Sequence, residues 1–320
     1  MESLDESVAA DAVNSLPGAS LSSIRTRVRM LVSVASANRS SISLAELFVL
    51  LPRDAFDSTR ALEEFLTGDP TLQQDLVVSR GEIVFKGSED LARRRQEQNR
   101  LTDRRIQSAR SFARQLEVLC PWIRLVGISG SMAFGGTREG DDIDFFLVTR
   151  TNRVWITLLF AMVLAKIHRL RRPGTPVHCF NRVLDETRCE DAFRTAQDPL
   201  FAREALSLQV LDGQPFYHNL LLSAFWMNRF FPLLYQQALT RRNAKDEERS
   251  PGGHWLWAIA NVFALAALAP YTSLVNHLRN HRIQESGDIE DRFRTVIQRG
   301  FFAYESVRFE HLKDSYRGAF

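Results

Sequence analysis

At 320 residues, 45% hydrophobic and 25% charged, the chain is long enough for two or three domains and has the make-up of a soluble globular protein. A formal net charge of +3 is too small to argue for a nucleic-acid partner by itself. Three cysteines, Cys120, Cys179 and Cys189, form no CxxC pair, which speaks against structural zinc and for a reducing, cytoplasmic setting.

Residues 1–19 are acidic and lack an apolar h-region, so they are expected as a disordered tail rather than a secretory signal. Residues 20–87 then read as three helices and a hairpin. Leu21, Ile24, Val28 and Leu31 recur at helical spacing. "SISLAELFVLLP" is a second short helix with Ser43 as its N-cap, and "DSTRALEEFLTGDP" a third, capped by Asp57 or Ser58 and stopped at Gly68. Two β-prone runs flank Ser79-Arg80-Gly81, a hairpin signal. That order is winged-helix-like. Such modules bind DNA or dock proteins and substrates, but the third helix, with Arg60, Glu63 and Glu64, is not basic, which weighs against DNA.

From Ser88 to about Leu119 the pattern predicts one long polar helix rich in arginine, including Arg95 and Arg105. It is expected as a solvated helix with a thin apolar stripe, or as a basic flank to a phosphate or nucleic-acid site. Pro121 ends it, and "WIRLVGISGS" reads as a strand. Then Gly130-Ser131 is followed after ten residues by Asp142-Ile143-Asp144 at the head of an apolar run. On a strand, residues i and i+2 share a face, so Asp142 and Asp144 project together while Ile143 turns inward. Two carboxylates so placed repel one another and can chelate a hard divalent cation, Mg²⁺ best of all, or Mn²⁺. The Gly-Ser turn lets backbone N–H groups approach a phosphate closely, and Gly135 and Gly136 keep the intervening loop tight. A phosphate cradle beside a metal clamp suits a nucleoside triphosphate.

"GSMAFGGTREGDDIDFFLV" resembles the signature of the DNA polymerase β-like nucleotidyltransferase superfamily, on Gly130, Ser131, Ala133, Gly135, Asp142 and Asp144. The resemblance covers about 60 residues and implies an α/β (α+β) core of a small mixed sheet with flanking helices, over 88–190. It also implies transfer of a nucleoside monophosphate to an acceptor with release of pyrophosphate. Asp142 and Asp144 would hold the metal, Gly130 and Ser131 the phosphates, and Arg138 would add a phosphate contact or simply face water. The acceptor, whether small molecule, protein or RNA, stays open. Catalytic members carry a third acid on a later strand, and "PVHCFNRVLDE" has none inside its apolar run. Either Asn181 occupies that position or Asp185 turns inward to fill it. A non-catalytic nucleotide sensor is the alternative.

Residues 191–320 are expected as a helical region packed on this core. "WLWAIANVFALAALAPYTSLV", Trp255 to Val275, is long enough to span a bilayer. Asn261 and Pro270 interrupt it, so a buried core helix is expected, with membrane association as the alternative. Phe225, Trp226, Phe230 and Phe231 are expected in the core, and His277 and His281, at i and i+4, on a solvated helix face.

Overall fold

The computed structural model describes residues 20–171, 174–241, 255–286 and 292–320. The tail expected at 1–19 lies outside them. The chain is a mixed α/β protein. Its first part runs α1 (Leu21–Ala37), β1 (Ile42–Ser43), α2 (Leu44–Leu50), α3 (Thr59–Gly68), β2 (Leu76–Ser79) and β3 (Glu82–Phe85). The three strands form an antiparallel sheet in the order β1-β3-β2. Local chemistry accounts for the helix starts. Ser43 and Glu46 close a reciprocal capping box on α2, and Ser58 caps α3. Arg80 and Gly81 take the positive φ angles that the two-residue β2–β3 turn needs.

The 31-residue α4 (Glu89–Leu119) leads into β4 (Ile123–Ile128) and a 3₁₀ turn at Gly130–Phe134. There follow β5 (Ile143–Thr149), α5 (Val154–Arg171), β6 (His178–Asp185), α6 (Glu186–Thr195), α7 (Pro199–Ser207) and β7 (Gln209–Asp212). Next come α8 (Gln214–Ser223), α9 (Met227–Phe230), α10 (Pro232–Thr240), α11 (Trp255–Ser286), β8 (Phe293–Gln298), β9 (Phe301–Ser306) and α12 (Val307–Ala319). The large sheet has the order β7-β4-β5-β6-β9-β8, with β5 and β6 parallel and the other pairs antiparallel. A parallel neighbour needs a crossover, and α5 provides it. Residues 191–320 are therefore not purely helical: they supply three of the six strands, including both that extend the sheet beyond β6.

Side chains alternate between two cores. Ile128, Phe145, Leu147 and Val183 pack against α4, α5 and α11, whereas Leu125, Val148 and Leu184 pack with α1, α7 and α8. The first part of the chain thus covers the same face of the large sheet as α7. It is tied to the C-terminal helix as well: Arg27 donates to the Ala319 carbonyl at 3.1 Å and lies over the Phe320 ring, and Arg308 donates to the Ala37 carbonyl at 2.9 Å.

Two expectations about apolar segments are corrected. Phe231 is buried and Trp226 and Phe230 partly so, but Phe225 is exposed. And α11 is no buried core helix. Asn261, Ala264, Leu268 and Thr272 bury one side of it against the body, while the rest of its apolar surface faces outward among the described residues. Asn261 has a reason to interrupt that run: its Oδ1 accepts from the backbone N–H groups of Trp155 at 2.8 Å and Ile156 at 3.1 Å, satisfying orphan donors at the start of α5.

Candidate nucleotide and metal site

β4 and β5 bring the Gly-Ser turn and the Asp-x-Asp pair to one end of the sheet. Ser129 N–H donates to the Asp144 carbonyl at 3.0 Å as the chain leaves β4. Gly130 then adopts φ +68°, and a Cβ there would sit 2.5 Å from Asp144 Oδ2. Only glycine allows both the left-handed backbone and this approach. The turn closes with the Gly136 N–H bonded to the Ser131 carbonyl at 3.0 Å.

The loop before β5 is held by side chains that look like surface charge in the sequence. Asp141 accepts from the Arg138 backbone N–H at 2.9 Å and from the Ser131 hydroxyl at 3.2 Å, and pairs with the Arg138 guanidinium at 3.2 Å. Asp141 is therefore the loop's clasp, and it engages two of the expected phosphate ligands. Arg105 reaches from α4 to the carbonyls of Asp141 at 2.7 Å and Glu139 at 2.5 Å. One helical stretch earlier, Arg95 bonds the Phe134 carbonyl at 3.0 Å, the Ser40 hydroxyl at 2.8 Å and the Glu46 carboxylate. Both arginines are buried. The arginine-rich helix is a brace for this loop rather than a wholly solvated face, and through Arg95 it joins the loop to α2.

Asp144 lies in β5 and Asp142 one residue before its start, and the charge of Asp142 acts on Asp144. Burial pushes the Asp144 carboxyl up to about 7; the charge of Asp142 adds to the shift and the Asn181 hydrogen bond opposes it. Burial also raises Asp142, against the pull of Arg279 from α11. Among the described residues no group of three or more His, Cys, Asp or Glu side chains could hold a metal ion. The donor set is this pair. It fits Mg²⁺, which takes one or two carboxylates and completes its shell with water and phosphate oxygens, and a cation there would relieve the strain that raises Asp144.

Asn181 Nδ2 donates to Asp144 Oδ1 at 2.5 Å, and Asn181 Oδ1 accepts from the Cys179 thiol at 2.9 Å. Asp185 lies elsewhere. In the parallel β5–β6 register Asp144 pairs with Cys179 but Thr149 pairs with Asp185, six residues on and about 20 Å along the strand. There Asp185 caps α6 by accepting from the Arg188 N–H at 3.0 Å, and a Cβ on Gly300 would strike it at 2.2 Å. It is a structural residue, and its expected catalytic role is withdrawn.

Strand alternation misses the next residue. Asp144 and Phe146 pair with Cys179 and Arg182, so β6 carries one extra residue between them. This bulge puts Asn181 and Arg182 on one face. Both line a cleft of about 590 Å³ together with Gly130, Ser131 and Glu204. A second cavity of about 540 Å³ lies on the other side of the turn, and the two share Ser131, Phe134 and Glu204. Glu204, from α7, is the carboxylate that the sequence did not mark. Burial raises its pKa, Arg203 and Arg182 oppose the rise, and its own charge contributes to the rise of Asp144. Comparison with protein-family models, with curated proteins and with solved structures returned no match.

Proposed function

We propose that the chain transfers a nucleoside monophosphate from an NTP to an acceptor, releasing pyrophosphate, in the manner of the nucleotidyltransferase superfamily its signature resembles. The observation that carries this reading is the contact of Gly130 with Asp144: a small, left-handed turn pressed against a pair of strained carboxylates. The Gly130–Ser131 backbone and the Ser131 hydroxyl bind the β- and γ-phosphates, Ser131 exchanging its bond to Asp141 for a phosphate oxygen. Arg138 and Arg279 are the cations at hand for the remaining charge. Asp142 and Asp144 would hold Mg²⁺, which when bound would supply charge neutralisation for the phosphates and the leaving pyrophosphate.

With Asn181 beside Asp144, the proton of an acceptor hydroxyl needs another base. Glu204 is the carboxylate placed for that role: it lines the cleft with Asn181, Gly130 and Ser131. Arg182, on the same wall and attracted to Glu305 and Glu204, is the cation that an anionic acceptor would meet. In this reading residues 20–87 form a winged-helix-like domain that roofs the cleft rather than one that reads DNA.

Incubation of the purified chain with each of four labelled NTPs and Mg²⁺ or Mn²⁺, against small-molecule, protein and RNA fractions, tests the proposal. Pyrophosphate release that disappears in Asp142→Asn supports it; label transfer that persists in that variant opposes it. Asn181 in place of an acid favours one second reading, a nucleotide sensor that binds Mg-NTP without turnover.

A further inference from the structure

The strongest feature outside the cleft is the outer face of α5 and α11. Trp255, Leu256, Ile259, Val262, Phe263 and Leu274 all face outward, Phe263 at 71% exposure. With the neighbouring alanines and Pro270 they make an unbroken apolar stripe from Trp255 to Val275, about 30 Å long at 1.5 Å per residue. Val163, Ile167 and Leu170 of α5 are exposed too. A helix apolar on all sides belongs in a core or against lipid, and a monomer in water rarely leaves so large a patch open. Only 22% of the most apolar window of α11 is buried, so it is not a core helix.

Charge decides what covers it. Neither α5 nor α11 as far as Ile283 contains an Asp or Glu, while Lys166, Arg169, Arg171 and Arg279 are all exposed. Two copies meeting through this face would bring like charges together; an anionic bilayer would neutralise them. Apolar bulk with Trp and Phe, flanked by Lys and Arg and free of carboxylates, is the composition of a helix lying in the headgroup region. Asn261 ties α11 to the first turn of α5, and Ala264, Leu268 and Thr272 bury the same side of it against the body, which leaves the opposite side open along its length.

We propose that the α5–α11 face docks onto an anionic lipid bilayer, with α11 lying in its plane. Arg279, one turn beyond the stripe, acts on Asp142, so the docked face borders the carboxylate site.

The test is flotation of the full chain with vesicles of phosphatidylcholine containing phosphatidylglycerol, and with vesicles of phosphatidylcholine alone, alongside its mass in solution by light scattering. The chain is expected to float with the anionic vesicles. Lys166→Glu with Arg169→Glu should lower that affinity on the order of tenfold or more, and Val262→Asp with Phe263→Asp should reduce it by at least as much. All four positions are exposed, and unchanged melting temperatures would show the fold intact. A chain that floats with neither vesicle, or floats equally well with the Val262 and Phe263 pair replaced, overturns the proposal. So does a dimer that fails to float and that those two substitutions convert to a monomer, which would make a second copy the occupant.

Discussion

The side-chain amide of Asn181 donates to Asp144 at 2.5 Å, so an uncharged group rather than another carboxylate lies against this buried acid. Asn181→Asp would set a third charge against Asp144, which burial and Asp142 already push up. The variant should melt lower than the wild type without divalent cations above pH 7, and Mg²⁺ should raise its melting temperature by more than it raises the wild type's. Equal responses to Mg²⁺ in the two proteins would place the metal elsewhere.

Asp144 itself makes stability depend on pH. Its carboxyl is raised from the ordinary value to about 7 in the folded chain, so between about pH 4 and pH 7 the folded state binds more protons than the unfolded one. Its contribution therefore falls as pH rises through that window and stays low above it. Asp144→Asn removes the penalty and keeps an oxygen to accept from Asn181. Without metal, the variant should gain up to a few kcal/mol over the wild type at pH 8 and match it near pH 4. Urea unfolding at both pH values checks this, and a variant less stable at pH 8 would contradict it.

Gly130→Ala should cost about 1–3 kcal/mol through its positive φ alone, and the added methyl should displace Asp144 and weaken Mg²⁺ binding. Gly140→Ala, with nothing near the added atom, is the control and should change neither. Thermal melts with and without Mg²⁺ read both effects.

Asn261→Ala removes the acceptor for two N–H groups at the start of α5 and should cost about 0.5–2 kcal/mol, the usual range for a lost cap. Amide exchange at Trp155 and Ile156 should quicken with it. Protection unchanged at both amides would mean the cap is not formed.

The local signals were legible. Ser43 and Ser58 cap the helices they precede, the Ser79-Arg80-Gly81 turn joins two paired strands, and the Asp-x-Asp run stands at the head of β5 beside the Gly-Ser turn. What sequence spacing could not carry is long-range or compensated. β7 and β9 join the large sheet through β4 and β6, far away in the chain, and nothing in their own residues names those partners; β8 follows as the hairpin neighbour of β9. The extra residue in β6 inverts the alternation after Cys179, which brings Arg182 to the face of Asn181. Glu204 sits in a helix that looks ordinary until the fold sets it against the cleft. Arg95 and Arg105 read as surface charge because an arginine run does not say which of its members meet carbonyls. Trp255–Val275 read as core because composition measures how apolar a helix is, not how much of it is covered.

Calorimetric titration of the chain with each NTP, in Mg²⁺ and in a chelator, is the most direct test of the site. The wild type should bind at least one NTP in Mg²⁺ and bind it far more weakly without the metal, and both Asp142→Asn and Asp144→Asn should lose the metal-dependent part while melting no lower than the wild type. If both variants bind Mg-NTP as tightly as the wild type does, the Gly130–Asp144 corner is not the nucleotide site.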